Sequence, residues 1–263
     1  MLIKVRILFL VIVFSLIFDL SFAADTTVST ALTSSDDQII MGSNDTVTIT
    51  SSGSIIVDDH DDGLIQLPAG TSNLTIENSG TLQVGRYGDV GSSTAEANTI
   101  AADAAENITI INNGVISASN HSALSLANAE GDITITNNAG AMISARSSNS
   151  KATINLNTAG STTAGDIIVT NAGTIQALGA PYNNAANTFS HHTLRLSNIT
   201  NGGTVTIDNS GTIEAGACCA INLNGTTDPI TLTNSGTIKV ETIGAISGRY
   251  TTNLTIVNSG TIT

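Results

Sequence analysis

Apolar and polar residues alternate along most of this chain in short runs that stop at a glycine and then resume. The clearest copy is Thr204–Ala215, Thr-Val-Thr-Ile-Asp-Asn-Ser-Gly-Thr-Ile-Glu-Ala. Before the glycine, the apolar pairs are Val47/Ile49, Leu74/Ile76, Ile108/Ile110, Ile133/Ile135, Ile167/Val169, Val205/Ile207, Ile230/Leu232 and Leu254/Ile256. A threonine stands between the two in every copy but one, where Ile168 replaces it. After the glycine the alternation continues through Ile55/Val57, Leu82/Val84, Ile116/Ala118, Ile175/Ala177, Ile213/Ala215 and Ile238/Val240. A period of two belongs to a strand with one face buried, so each copy predicts two strands joined by a tight corner.

The corner glycines Gly53, Gly80, Gly114, Gly140, Gly173, Gly211, Gly236 and Gly260 are 27, 34, 26, 33, 38, 25 and 24 residues apart. A constant unit with insertions of variable length is a solenoid pattern. A third apolar patch follows most copies: Leu64–Leu67, Ala123–Leu126, Thr153–Leu156, Thr193–Leu196 and Ala220–Leu223. Three short strands cannot bury their own apolar side, but stacked copies can. The pattern therefore predicts an all-β, right-handed parallel β-helix of about eight three-strand coils over residues 46–263. At ~4.8 Å per coil, that is a rod of roughly 40 Å. Leucine-rich repeats, propeller blades and collagen each need a spacing that this chain lacks. The small inward residues Ala118, Ala177 and Ala215 predict a narrow core in mid-rod.

Two residues before the glycine stand Asn78, Asn112, Asn171, Asn209, Asn234 and Asn258, with Ser51 in the first copy. Asparagine tolerates left-handed backbone and bonds its own turn, and stacked in register its amides form a ladder. The row reads as a structural turn ladder. The Asp132 copy carries about two extra residues around Gly140, which leaves its register open.

Outside the repeat, Lys4 and Arg6 precede the apolar run Ile7–Ile17, and Ser21-Phe22-Ala23 offers small residues for cleavage before Ala24. Residues 1–23 read as a secretory signal peptide, too short and wrongly flanked to span a membrane. Residues 24–45 read as an N-terminal extension or cap, since a solenoid needs its open end covered. The insertions Gly85–Glu106 and Leu178–His192 carry Tyr87, Tyr182 and Phe189, three of the four aromatics outside the leader. They are the candidate recognition loops, because binding on rigid scaffolds concentrates in loops.

Composition narrows the functions. The formal net charge is −13, and removing the leader takes away two cations and one anion. Such a chain repels phosphate backbones and anionic lipid, which excludes nucleic acid as a partner. Aromatics are 3% of the chain, too few for base-stacking platforms. The two cysteines, Cys218 and Cys219, are adjacent and form no disulfide framework. They read either as small buried or half-buried side chains or as a vicinal or intermolecular disulfide.

The acidic cluster Asp58, Asp59, Asp61 and Asp62 is a candidate Ca²⁺ site, although His60 and Ala69 occupy positions an EF-hand fills with ligands. Its alternative is a solvated acidic turn. His60, His121 and the pair His191-His192 show no zinc spacing, and no nucleophile elbow or phosphate loop occurs. No cofactor and no catalytic residue is predicted. The sequons at Asn73, Asn107, Asn198 and Asn253 fall inside the repeat and read as its by-products.

A signal peptide followed by N-[LI]-T-I-x-N-S-G-T-I-x-[AV] units over about residues 46–263 resembles the secreted passenger domains of bacterial autotransporters of the pertactin/adhesin type. The resemblance implies export through the inner membrane, translocation by a C-terminal outer-membrane β-barrel, and display at the cell surface or release. Adhesion, autoaggregation or interaction with an unidentified host or surface ligand would then be its role, as for many virulence-associated passengers. The barrel translocator is absent from the sequence, which reaches Thr263 inside a repeat. That implies a truncated product or a pore supplied by another chain. Enzymatic passengers carry protease or esterase motifs, and none appears here. The remaining alternatives are a β-helical enzyme acting on polysaccharide, or a non-functional fragment of a longer passenger.

Expression of the full chain in a Gram-negative host is expected to give an exported form whose first residue is Ala24, read by intact-mass and N-terminal peptide analysis. An exported product that keeps Met1 would remove residues 1–23 from the role of a cleaved leader.

Overall fold

The computed structural model describes residues 25–33, 38–57, 63–85, 98–119, 121–146, 152–157, 163–178, 192–200, 202–216, 218–241 and 244–263. Every regular element among them is a strand. The strands stack into three parallel sheets of nine, nine and eight, and in each sheet every strand pairs with its counterpart one coil away. This is a right-handed parallel β-helix.

The opening coil-forming unit shows how the pattern becomes structure. Val205–Asn209 lies in the first sheet and Thr212–Ala215 in the second. Val205, Ile207, Ile213 and Ala215 are buried, and Thr206 is partly exposed. In the next coil Ile230–Asn234 and Thr237–Val240 repeat this residue for residue, Ile207 over Leu232 and Ile213 over Ile238. Each apolar column is thus a stack of like side chains, most of them 0–1% exposed. Burial of one such side chain contributes about 1.5–3 kcal/mol. The second-sheet column runs Val57, Val84, Ala118, Ala145, Ala177, Ala215, Val240, so the small residues do cluster in mid-rod.

Five features differ from the sequence reading. Residues 24–45, read as an extension or cap, contain a complete coil. Thr26–Val28, Ala31–Leu32 and Ile39–Ile40 pair in parallel with Thr46–Ile49, Ser54–Val57 and Ile65–Leu67. This first coil is hard to see because its strands are only two or three residues long. The first two sheets accordingly hold nine strands where about eight coils were predicted.

The third-sheet strand Ile100–Ala102 lies within what reads as the insertion Gly85–Glu106, and pairs with Ile65–Leu67 and Leu124–Ser125. Its two alanines give little apolar signal. Likewise His192 opens the strand His192–Arg195 instead of ending an insertion.

The Asp132 copy gains its two residues at the corner. Asn137 stacks on Asn112 and Met142 on Val115, so Ala141 and not Gly140 holds the anchor position. Gly140 adopts a left-handed φ of +82° with nothing within 4 Å of where a Cβ would stand, as suits a residue bulged out of the corner. The first copy is longer at the same corner. Val47 stacks on Ile76 and Ile49 on Asn78, two residues away from the register that the repeats suggest.

The anchor glycines are required by contact. A Cβ on Gly211 would lie 2.1 Å from the carbonyl oxygen of Gly173, and one on Gly236 would lie 2.1 Å from that of Gly211. Gly211→Ala is therefore expected to lower stability by about 1–3 kcal/mol, since a close-packed corner cannot absorb the methyl without moving the backbone. Denaturant unfolding monitored by circular dichroism measures it. An unchanged midpoint would contradict this packing.

Candidate functional site

Asp58, Asp59, Asp61 and Asp62, the calcium candidates, lie outside the described residues, as do the recognition-loop residues Tyr87, Tyr182 and Phe189. The asparagine row is described and is the most regular polar feature of the rod. Asn112 Nδ2 donates to Asn137 Oδ1 at 2.8 Å, to the Met142 carbonyl at 3.1 Å and to the Gly114 carbonyl at 3.2 Å. Its Oδ1 accepts from Asn78 Nδ2 at 2.8 Å and from the Gly114 amide at 3.2 Å. The amide-to-amide bond recurs from Asn137 to Asn171, Asn171 to Asn209, Asn209 to Asn234 and Asn234 to Asn258, at 2.7–2.8 Å. All the amides point the same way along the rod.

Seven asparagines form this row, because Asn137 belongs to it. Ser51 does not, since Ile49 occupies its place below Asn78 and Val28 lies below Ile49. Left-handed backbone is also not what selects asparagine here, as none of the seven has a positive φ. The inward-pointing amide selects it: a buried side chain must both donate and accept along the stack, which an aliphatic residue cannot do. In the buried members from Asn112 to Asn234 the amide nitrogen and the oxygen are both engaged with neighbouring coils.

Positive φ appears instead at Asn44, Asn73 and Asn107, at the entry to the first sheet. Asn73 Nδ2 donates to Asn44 Oδ1 at 3.0 Å and Asn107 Nδ2 to Asn73 Oδ1 at 3.3 Å. The column continues as the Asp132 amide donates to Asn107 Oδ1 and the Asp166 amide to Asp132 Oδ1. Sequon residues Asn73 and Asn107 thus tie neighbouring coils together.

The basic side chains among the described residues lie on or beside two different sheets. Lys239 pairs with Glu214 at 2.8 Å across two coils of the second sheet. The pair is substantially exposed and contributes at most about 1 kcal/mol. Arg195 lies in the third sheet, where its Nε donates to Ser197 Oγ, and Arg249 occupies the turn after the third-sheet strand Ile246–Ser247. Arg146 follows the second-sheet strand Met142–Ala145, while Arg86 and Lys151 lie outside the described residues.

One cluster does bring reactive side chains together. His192 stands at the start of its third-sheet strand, and the next coil passes Cys218 and Cys219 beside it before entering Ile221–Asn222. The Thr193 amide donates to the Cys219 carbonyl at 3.3 Å, which fixes this register. A ring nitrogen of His192 and the two Sγ atoms lie within 4.8 Å of one another. His192 is 7% exposed, Cys219 is buried and Cys218 is half-buried. The sulfurs are 3.2 Å apart and unbridged. The hydrogen bond with Cys218, then burial, then the charge of Cys218 push the Cys219 thiol far above its usual range, with Ser247 opposing.

Asn222 Nδ2 lies 2.9 Å from His192 Nε2, while Asn222 Oδ1 accepts the Asn224 amide at 3.0 Å. His192 Nδ1 is buried without a hydrogen-bond partner. The sequence does hold the signal for this cluster. Aligning Thr193–Leu196 with Ala220–Leu223 places His192 over Cys219, but no linear zinc spacing shows it.

Comparison with protein-family models, curated proteins and solved structures finds no match.

Asn171→Asp tests the polarity of the amide row. The carboxylate would face Asn209 Oδ1 and the Gly173 and Thr212 carbonyls, all of them acceptors. Burial against these three acceptors, with the Asn137 amide donating to the other oxygen, raises its pKa above the unfolded value of about 3.9. The raised folded pKa makes the variant most stable below that value, with stability lost as pH rises through the folded pKa. At pH 7 the variant is expected to be less stable than Asn171→Ala, which itself costs about 1–3 kcal/mol. Unfolding midpoints at pH 4 and pH 7 measure the difference. A pH-independent midpoint for Asn171→Asp, relative to the parent chain, would refute the ladder.

Proposed function

We propose that this chain is a non-enzymatic β-helical rod, exported and displayed at the cell surface or released, that acts in adhesion or in contact with a host or other surface. The observation that supports this reading is the uninterrupted three-sheet solenoid. Its polar rows bond coil to coil, and its described basic side chains lie on or beside two different sheets. A scaffold of this kind holds loops at fixed positions, and the sequence places its aromatics in two of them. The leader and the repeat, which resemble an autotransporter passenger, support the exported location. An outer-membrane β-barrel supplied by the same or another chain is the translocator that this reading requires. The partner is a surface ligand, and the acidic chain argues against nucleic acid.

The purified exported chain, immobilised on beads, is expected to bind host-cell or abiotic surfaces in a saturable manner. Replacing Tyr87, Tyr182 and Phe189 together by alanine should remove most of that binding while the circular dichroism spectrum stays unchanged. Equal binding by the triple variant would take recognition away from these loops. Failure to bind any surface, together with turnover of a polysaccharide, would replace the adhesive reading with the enzymatic one.

A further inference from the structure

We infer that His192, Cys218 and Cys219 form a binding site for one thiophilic d10 cation, Zn²⁺ or Cu⁺. The donors come from two adjacent coils, and the solenoid register holds them within 4.8 Å of one another. Around Zn²⁺, with Zn–S near 2.3 Å and Zn–N near 2.0–2.1 Å, tetrahedral donors stand about 3.4–3.8 Å apart. The sulfurs, now 3.2 Å apart, need to open by only about half an ångström. Two sulfurs and one imidazole with no carboxylate select soft or borderline metals over Ca²⁺ or Mg²⁺.

The unpartnered imidazole nitrogen points independently to a missing ligand. His192 is buried, and its Nδ1 has no hydrogen-bond partner while its Nε2 is held by Asn222. Leaving such an atom unpaired carries its full desolvation penalty, and buried polar groups are seldom left so. A cation on Nδ1 removes that cost. The ring proton then resides on Nε2, and a half-turn of the Asn222 amide presents Oδ1 to it in exchange for the hydrogen bond that Oδ1 now accepts from the Asn224 amide, which gives the histidine the kind of outer partner that metal-bound histidines commonly have. Asn222 is thus a positioning residue. The sulfurs give a second reason: they already stand side by side at 3.2 Å, so one cation reaches both and replaces their mutual hydrogen bond with two S–metal bonds. Each thiol that binds loses its proton to solvent as its S–metal bond forms, and no electron changes hands.

The test uses the full chain, reduced with a phosphine and titrated with Co²⁺ as a zinc probe, and separately with Cu⁺ held on a competing chelator. One equivalent of an ion is expected to saturate the site. With Co²⁺ the sign is a thiolate-to-metal absorption that Zn²⁺ displaces. Cys218→Ser and Cys219→Ser should each abolish binding, and His192→Gln should weaken it by at least about 10-fold. Asn222→Ala should weaken it by about 10–100-fold. Binding of Cu⁺ alone would assign the site to copper, and displacement of Co²⁺ by Zn²⁺ would assign it to zinc. Alkylation of the parent chain keeps the test independent of variant folding: ion-bound protein should protect both cysteines from iodoacetamide, as mapped on peptides. Binding of neither ion, binding undiminished in either serine variant, or unprotected cysteines would overturn the site. So would a reduced chain that closes only to a Cys218–Cys219 disulfide and takes up no metal.

Discussion

The distance between successive coils at one corner governs this molecule. There, between the first and second sheets, the Gly211 backbone packs against the Gly173 carbonyl so closely that a single methyl would overlap it. The same corner holds the buried asparagine stack, whose amides bond one another at 2.7–2.8 Å from Asn78 to Asn258. The two features depend on each other. Glycine lets the coils come within hydrogen-bond reach, and the amide bonds satisfy polar groups that the close approach has shut off from water. Any residue added between asparagine and glycine must leave the stack, as Gly140 does.

That rigidity fixes the register of two sheets and leaves the rest of each coil free to vary. Between the second and third sheets the number of residues changes from coil to coil. The strands of the third sheet are mostly two to four residues long and take their alignment from the neighbouring coil. Side chains distant in sequence meet on this side, where His192 comes beside Cys218 and Cys219. A solenoid thus separates stability from chemistry: one corner is nearly identical from coil to coil, and the opposite side collects what differs.

Much of the fold was legible in the sequence. Val205, Ile207, Ile213 and Ala215 announce their faces by alternation alone, and the glycine column marks the corner. The coil at Thr26–Ile40 was not legible, because its strands are too short to show a period. The strand Ile100–Ala102 was hidden by alanines beside an insertion. The anchor at Ala141 was hidden because Gly140, one residue earlier, looks like the repeated glycine. For the asparagine row the sequence supplied the residues but a partly mistaken cause. Stacking accounts for them, while left-handed backbone belongs to Asn44, Asn73, Asn107 and Asn198.

The sequence by itself determined the three-strand coil, the parallel stacking and the inward faces. These follow from local alternation and from the need of each coil to bury its apolar side on the next. Tertiary structure alone decided which coil each short third strand joins and where the two longer corners absorb their extra residues. It also decided that a histidine and two cysteines from successive coils share one buried place. Those outcomes depend on register, which is set by contacts between coils and not by any property of a single repeat.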